Sequence, residues 1–242
     1  MAVDVLVPHD NPLGRVKVHD ENSRRHQFRA QAELGRSVRH RIMAPNLDQF
    51  YLGACVGFSG CNLLNTRPAN ASRKRYNQAI KGLRWNRALT HDDGIRHYSE
   101  STKRDPFPWT YPPSDEGASA LGLMKWWSDI GIIKEYQWVI DGGFESIVAA
   151  LQRQPILFGT WWYEGLGNPD PRGIVHATGR QQGGHEYLAN AVIWHSLPSK
   201  RLIGFENSWG ESWGEVGKFY MYWEQAEELW LDDGDVAVPI LL

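Results

Sequence analysis

The chain is poor in cysteine: of its 242 residues only Cys55 and Cys61 carry a thiol. They stand six positions apart on a stretch that reads as helix and so point in different directions, which argues against a disulfide between them. The fold is expected to stand without covalent staples, and nothing in it calls for an oxidising compartment. Two cysteines with no clustered Cys/His spacing argue against a structural zinc site, and no metal or organic cofactor is expected. Long apolar runs are absent too; no stretch approaches the roughly 20 apolar residues that span a bilayer. Residues 1–13 carry Asp4, His9 and Asp10 and lack a basic region followed by an apolar one, so they are not read as a secretory signal. The expected location is the cytoplasm of the producing cell or a virus particle. Charge of neither sign dominates: a net charge of −2 recruits neither nucleic acid nor an anionic membrane surface. Internal repeats and low-complexity segments are missing as well.

What is present is length for one large domain or two lobes, and 12 tryptophans, residues that line clefts as well as cores. Residues 1–44 are polar and rich in Arg and His. Acids interrupt the basic residues, so this stretch reads as an extended segment wrapped over the domain, ahead of a nucleic-acid-binding or inhibitory arm. From Cys55 onward, apolar residues at near-helical spacing predict a buried helix starting near Ala54. A loop is expected over 66–113, with a helix over 76–83. Further helices are expected from Ser114 through Trp127, closing near Gly131, and over 144–152 and 224–231. Strands are expected over 155–160, 187–195, 201–206, 218–223 and 236–241. Helices first and strands second suggest an α+β fold, with a helical lobe over about 48–135 and a β lobe over about 136–242.

Three places carry chemistry. A cysteine becomes a nucleophile when its thiolate is stabilised, and a helix N-terminus or a neighbouring imidazolium does this. Cys55 sits at such a helix start, although a cysteine ahead of an apolar helix is, taken alone, usually a core thiol. His185 follows Gly183-Gly184, two residues that let the chain pass close to another backbone, and it leads into an apolar strand. Alone it reads more readily as a satisfied polar residue than as a site. Asn207 opens Asn207-Ser208-Trp209-Gly210. An Asn side-chain carbonyl accepts from one imidazole nitrogen and fixes the tautomer, and a Trp two residues later can cover that bond.

His185 lies 130 residues after Cys55 and Asn207 lies 152 after it. Papain-like cysteine peptidases place their His and Asn about 130–150 residues after the nucleophile. The sequence resembles that family at three separate motifs. The family's nucleophile region, Gln-Gly-x-x-Gly-[Ser/Ala]-Cys-Trp-Ala-Phe-Ser, is matched here by Gln49-Phe50-Tyr51-Leu52-Gly53-Ala54-Cys55-Val56-Gly57-Phe58-Ser59. Gly184-His185 with its apolar strand resembles the histidine region. Asn207-Ser208-Trp209-Gly210, followed by Trp213-Gly214, Gly217 and Phe219-Tyr220, resembles the asparagine region. The firm resemblance covers 49–59 and 183–223. It looks like a compact bacterial or bacteriophage branch, on the strength of Asp105-Pro106-Phe107-Pro108, Ser114-Asp115-Glu116-Gly117 and the 159–165 stretch.

The resemblance implies a two-lobed papain-like fold: a helical lobe carrying the nucleophile helix, an antiparallel β-sheet or barrel lobe, and a cleft between them. The catalytic domain would span 45–242 behind the 1–44 segment. It also implies a Cys55–His185–Asn207 triad, an oxyanion hole formed by Gln49 and the Cys55 N–H, Trp209 as the shield, and a peptide or protein as substrate. A peptidoglycan-peptide hydrolase with the same triad and a papain-fold virion protein with little activity are the alternatives. Three positions depart from the family pattern: Val56 stands in place of Trp, Leu52 in place of a half-cystine, and Phe50 in place of Gly, which implies a shifted oxyanion loop. The 54 residues before Cys55 imply no inhibitory pro-domain and no zymogen cycle.

Overall fold

The computed structural model describes residues 12–242; residues 1–11, the start of the segment expected to wrap the domain, lie outside the described residues. The chain runs α1 (Glu21–Arg25), β1 (Val38–Arg39), α2 (Cys55–Asn65), α3 (Asn70–Lys81), α4 (His91–Thr102), α5 (Ala120–Asp129), β2 (Ile133–Trp138), α6 (Phe144–Leu151), β3 (Ile156–Tyr163), β4 (Gln181–Ile193), β5 (Leu202–Glu206), β6 (Lys218–Tyr222), α7 (Trp223–Asp233) and β7 (Asp235–Leu241). The strands form one antiparallel sheet in the order β2-β7-β3-β4-β5-β6, with β1 added on β4. This path is open, with β2 and β6 at its ends, so the sheet does not close into a barrel.

Strand periodicity places two cores on opposite faces of the sheet. Leu157, Leu188 and Ala237 are cross-strand neighbours on β3, β4 and β7 and pack with α2, α4 and α5. Their chain neighbours Ile156, Phe158, Tyr187, Ala189, Val236 and Val238 point the other way, onto α6 and α7. Successive side chains on a strand must alternate faces, so these near-continuous apolar runs each serve two layers. α2 lies wholly inside this arrangement, with all of its residues buried. The Ser59 hydroxyl donates to the Glu186 carbonyl at 2.8 Å and ties the helix to β4.

The expected elements largely appear, with extended bounds. α3 begins six residues before the expected 76–83 helix, and β4 begins at Gln181 rather than 187. Four elements were not expected. α1 and β1 lie in the stretch read as an extended segment, α4 lies in the stretch read as loop, and β2 was not assigned at all. α4 buries mostly polar or small residues, Asp93, Gly94, His97, Tyr98, Ser101 and Thr102, so it carries little apolar periodicity. Its local signal is the Thr90–Asp93 capping box, in which each side chain takes the other's backbone N–H.

Candidate active site

Cys55 is the first residue of α2, and Ala54 before it supplies no side-chain cap. The unsatisfied N–H groups of the first helical turn are therefore left to favour negative charge near the sulfur. The thiol nonetheless is fully buried, and desolvation pushes it up to about 12 against the opposing pull of the Glu186 and Val56 backbone N–H groups. Val56, in place of the family's Trp, is also buried, so the departure sits in the wall behind the thiol and not in an open groove.

His185 lies on β4 opposite Thr160 of β3. Its Nε2 and Asn207 Oδ1 are 2.8 Å apart. The Ser208 backbone N–H also donates to that oxygen at 2.8 Å, which fixes it as an acceptor. Nε2 must therefore carry the proton, leaving Nδ1 as a bare lone pair. Nδ1 is buried and has no hydrogen-bond partner among the described residues; no hydrogen bond joins it to Cys55. Trp209 stacks on the imidazole with centroids 4.9 Å apart, and Trp162 meets it edge-on, also at 4.9 Å. This aromatic box strips water from the ring, and desolvation lowers its pKa to about 4 despite the Asn207 bond. The resting pair is thus neutral thiol and neutral imidazole, and the thiolate–imidazolium pair that a nucleophile needs is not the favoured state here.

Residues 46–50 form one unit with 206–210. Asn46 Nδ2 donates to the Asn207 carbonyl at 2.8 Å, the Gln49 backbone N–H to the Ser208 carbonyl at 2.8 Å, and the Ser208 hydroxyl to Gln49 Oε1 at 2.6 Å. The Gln49 amide nitrogen then donates to the Leu52 carbonyl at 2.8 Å and to the Pro12 carbonyl at 3.1 Å. Phe50 keeps the backbone shape a glycine would adopt, at φ +50, and Asp48 Oδ1 supports it by accepting from the Phe50 N–H at 2.8 Å. A non-glycine residue in this left-handed conformation costs strain.

Glu206 closes the back of this unit, accepting from Asn46 and Asn190 at 3.2 Å each. Burial raises its carboxyl to about 7 from 4.5. A raised acid pKa means the unfolded chain loses that proton first, so stability falls as pH climbs from about 4.5 through 7. Glu206→Gln should remove this slope. The variant is expected to gain on the wild type across that window by up to roughly 3 kcal/mol and to run parallel above it. Urea midpoints at pH 4.5 and pH 8 check this; an equal offset at both would contradict it.

A second Cys/His pair lies in the helical core. Cys61 Sγ is 3.5 Å from His97 Nδ1, and that nitrogen also meets the Asp93 carbonyl at 2.7 Å. Both residues are fully buried, and desolvation pushes the thiol well above its ordinary value and the imidazole down to about 4. A carbonyl can only accept, so the Nδ1 proton is committed to Asp93 and no lone pair faces the sulfur. Cys55 and Cys61 are both free thiols.

Sequence reasoning placed an extended segment over the domain but not which of its residues reach the site. Residues 12–16 pass between the two lobes directly over it. The Gly14 and Arg15 N–H groups donate to the Gly184 carbonyl at 3.1 and 3.0 Å. On the other side Ala118 N–H donates to the Gly14 carbonyl at 2.8 Å, and Val16 N–H to the Ala118 carbonyl at 2.9 Å. Gly14, Gly53, Gly117 and Gly184 admit the strand because none carries a Cβ; one on Gly14 would overlap the Gly53 carbonyl oxygen. The glycines before His185 do let another backbone pass close, and that backbone is the chain's own. The charged residues around Arg15 were also missed; their signal is a Glu and an Asp set inside otherwise apolar strands, at 186 and 235.

No protein-family model matches the sequence, and no curated protein matches it significantly. Solved structures do. Xylellain, a cysteine protease from Xylella fastidiosa, superposes with a TM-score of 0.58 at 19% identity, covering 96% of this chain and 97% of that one. Recombinant stem bromelain precursor gives a TM-score of 0.50 at 15% identity, over 95% of this chain and 75% of its own. The protein has the papain-like cysteine protease fold. Among the described residues no helix is long and apolar enough to cross a membrane, and no cluster of His, Cys, Asp or Glu suits a metal ion.

Proposed function

We propose that the protein is a cysteine peptidase that hydrolyses peptide bonds through Cys55, His185 and Asn207. The observation that carries this reading is the tautomer lock: Asn207 and Ser208 together force the proton onto Nε2 of His185 and leave Nδ1 as the base. Cys55, at a helix N-terminus beside β4, is the thiol that base would serve.

In this reading Nδ1 takes the thiol proton and the sulfur attacks the substrate carbonyl carbon, opening its double bond to an oxyanion. The Gln49 amide and the Cys55 N–H hold that oxyanion. The tetrahedral intermediate collapses, the C–N bond breaks, and the imidazolium hands its proton to the departing amine. Water, deprotonated by His185, then cleaves the thioester and regenerates the thiol. Trp209 covers the His185–Asn207 bond. Support for the oxyanion assignment comes from Pro12, whose carbonyl already rests on the one Gln49 amide hydrogen not taken by Leu52.

Residues 12–16 add to the burial that the aromatic box and α2 already impose on His185 and Cys55. Once residues 12–16 leave and water enters, the desolvation that raises Cys55 and lowers His185 falls, and proton transfer becomes accessible. Gln49→Ala should lower kcat by about 10²–10³ with little change in KM, since the lost donor acts on developing charge. Steady-state kinetics on casein-derived peptides test this, and equal losses in kcat and KM would remove the oxyanion role. Purified peptidoglycan serves as a comparison substrate: release of its peptides without casein cleavage would move the substrate class to the cell wall.

A further inference from the structure

The peptide strand 12–16 carries one long side chain, and its destination is specific. Arg15 enters a pocket built from a single rung of the sheet: Glu186 on β4, Gly159 on β3 and Asp235 on β7 are direct cross-strand partners. The next rung inward is Leu188, Leu157 and Ala237, fully apolar and part of the helical core. The sheet face thus changes from apolar to acidic at the rung beside His185, since Glu186 is the residue that follows it.

Shape and charge both fit a cation. A Cβ on Gly159 would overlap Arg15 Nε and Glu186 Oε2, so only glycine there leaves the pocket open. Arg15 Nε donates to Asp235 Oδ1 at 2.7 Å, its terminal nitrogen lies 2.6 Å from the same oxygen, and it donates to the Asp233 carbonyl at 2.7 Å. Glu186 Oε2 stands 3.8 Å from Nε, and both Glu186 oxygens, like Asp235 Oδ2, have no hydrogen-bond partner among the described residues. Two buried carboxyl groups therefore meet one guanidinium, with acceptor capacity to spare. If Arg15 leaves, the pocket holds acid without a counter-charge. An incoming ammonium or guanidinium relieves that burden and an apolar side chain does not.

We propose that this rung is the specificity pocket of the cleft, that it selects an arginine or lysine side chain of the peptide substrate, and that Arg15 is its resting, tethered occupant. The proposal rests on the peptidase reading above. The 12–16 strand holds three places a substrate would need: the Gln49 amide through Pro12, the Gly184 and Ala118 backbone edges through Gly14 and its neighbours, and the acidic pocket through Arg15. Substrate and strand are then mutually exclusive, and turnover requires the strand to leave.

The test uses the full chain and internally quenched peptides in which one arginine is walked from three residues before to three residues after the scissile bond, with leucine as the comparison. Gly14→Ala pushes the strand off Gly53 without touching any charge, and Arg15→Ala vacates the pocket. Both variants are expected to turn over faster than the wild type by about tenfold or more, on the scale of a lost bound occupant. At one position arginine should exceed leucine in kcat/KM by about tenfold or more. Asp235→Asn in the Gly14→Ala background should bring that ratio close to one. Cleavage with no arginine preference, or a preference that Asp235→Asn leaves intact, overturns the pocket and leaves the peptidase reading standing. If neither Gly14→Ala nor Arg15→Ala, folded by circular dichroism, cleaves any peptide, the peptidase reading fails and the pocket with it.

Discussion

Cys55→Ala should abolish peptide hydrolysis, a loss of at least about 10³-fold, while Cys61→Ala keeps turnover close to that of the wild type. The contrast is informative because two Cys/His sets compete for the role. Cys61 Sγ lies 3.5 Å from His97 Nδ1, yet that pair cannot work as a nucleophile and base. Its imidazole proton is spent on the Asp93 carbonyl, the pair lies in the helical core, and no oriented acceptor holds the far nitrogen, since His97 Nε2 has no partner. The proposed triad has the reverse set: Cys55 opens a helix, the far nitrogen of His185 is tied to Asn207, and the Gln49 amide gives one hydrogen to the Pro12 carbonyl. Loss of turnover in Cys61→Ala with activity kept in Cys55→Ala would exchange the two roles.

The second large effect concerns stability. Trp162→Ala should destabilise the fold by about 3–5 kcal/mol, the range for deleting a buried large aromatic side chain. For a domain of this size that is a fall in Tm of roughly 10 °C. The indole is almost fully buried and stands within 4.9 to 6.5 Å, centroid to centroid, of His185, Trp209, Phe219, Tyr187 and Trp213. Its removal opens a cavity next to the imidazole, water enters, and the His185 pKa should rise from about 4 towards its ordinary 6.5. The neighbouring Trp161 is only half-buried and points to the other sheet face, so Trp161→Ala should cost far less. Thermal melts of both variants, with the His185 ring followed by NMR across pH, check the two halves together. Equal costs for Trp161 and Trp162, or an unmoved His185 titration, would contradict the role given to the aromatic box.

The parts of this molecule that could be read from sequence are those where one residue type does one job. Near-continuous apolar runs located β3, β4, β5 and β7, because a strand buried on both faces has no other composition available. The Asn207-Ser208-Trp209-Gly210 stretch pointed to His185, because an amide that orients an imidazole needs a partner at the right separation. α4 stayed hidden because its buried face is polar: Asp93 serves Tyr76 and Lys81, and His97 serves Asp93, so packing there is by hydrogen bonds rather than apolar area. The strand over the cleft stayed hidden for a different reason. Residues 12–16 have no element of their own; their place is set by glycines at 53, 117 and 184 and by acids at 186 and 235, all remote in sequence. The neutral state of Cys55 and His185 follows from burial and could not be read from the motifs, which specify neighbours but not water.

We propose Cys55 as the nucleophile, with access to it governed by residues 12–16. Peptide mapping by mass spectrometry after treatment with a peptidyl epoxide tests both parts at once, on the wild-type chain and on Gly14→Ala. The expected result is a single adduct on Cys55 in each protein, formed faster in the variant, with Cys61 unmodified. An adduct on Cys61, or none on Cys55 in a folded Gly14→Ala protein, would contradict the account.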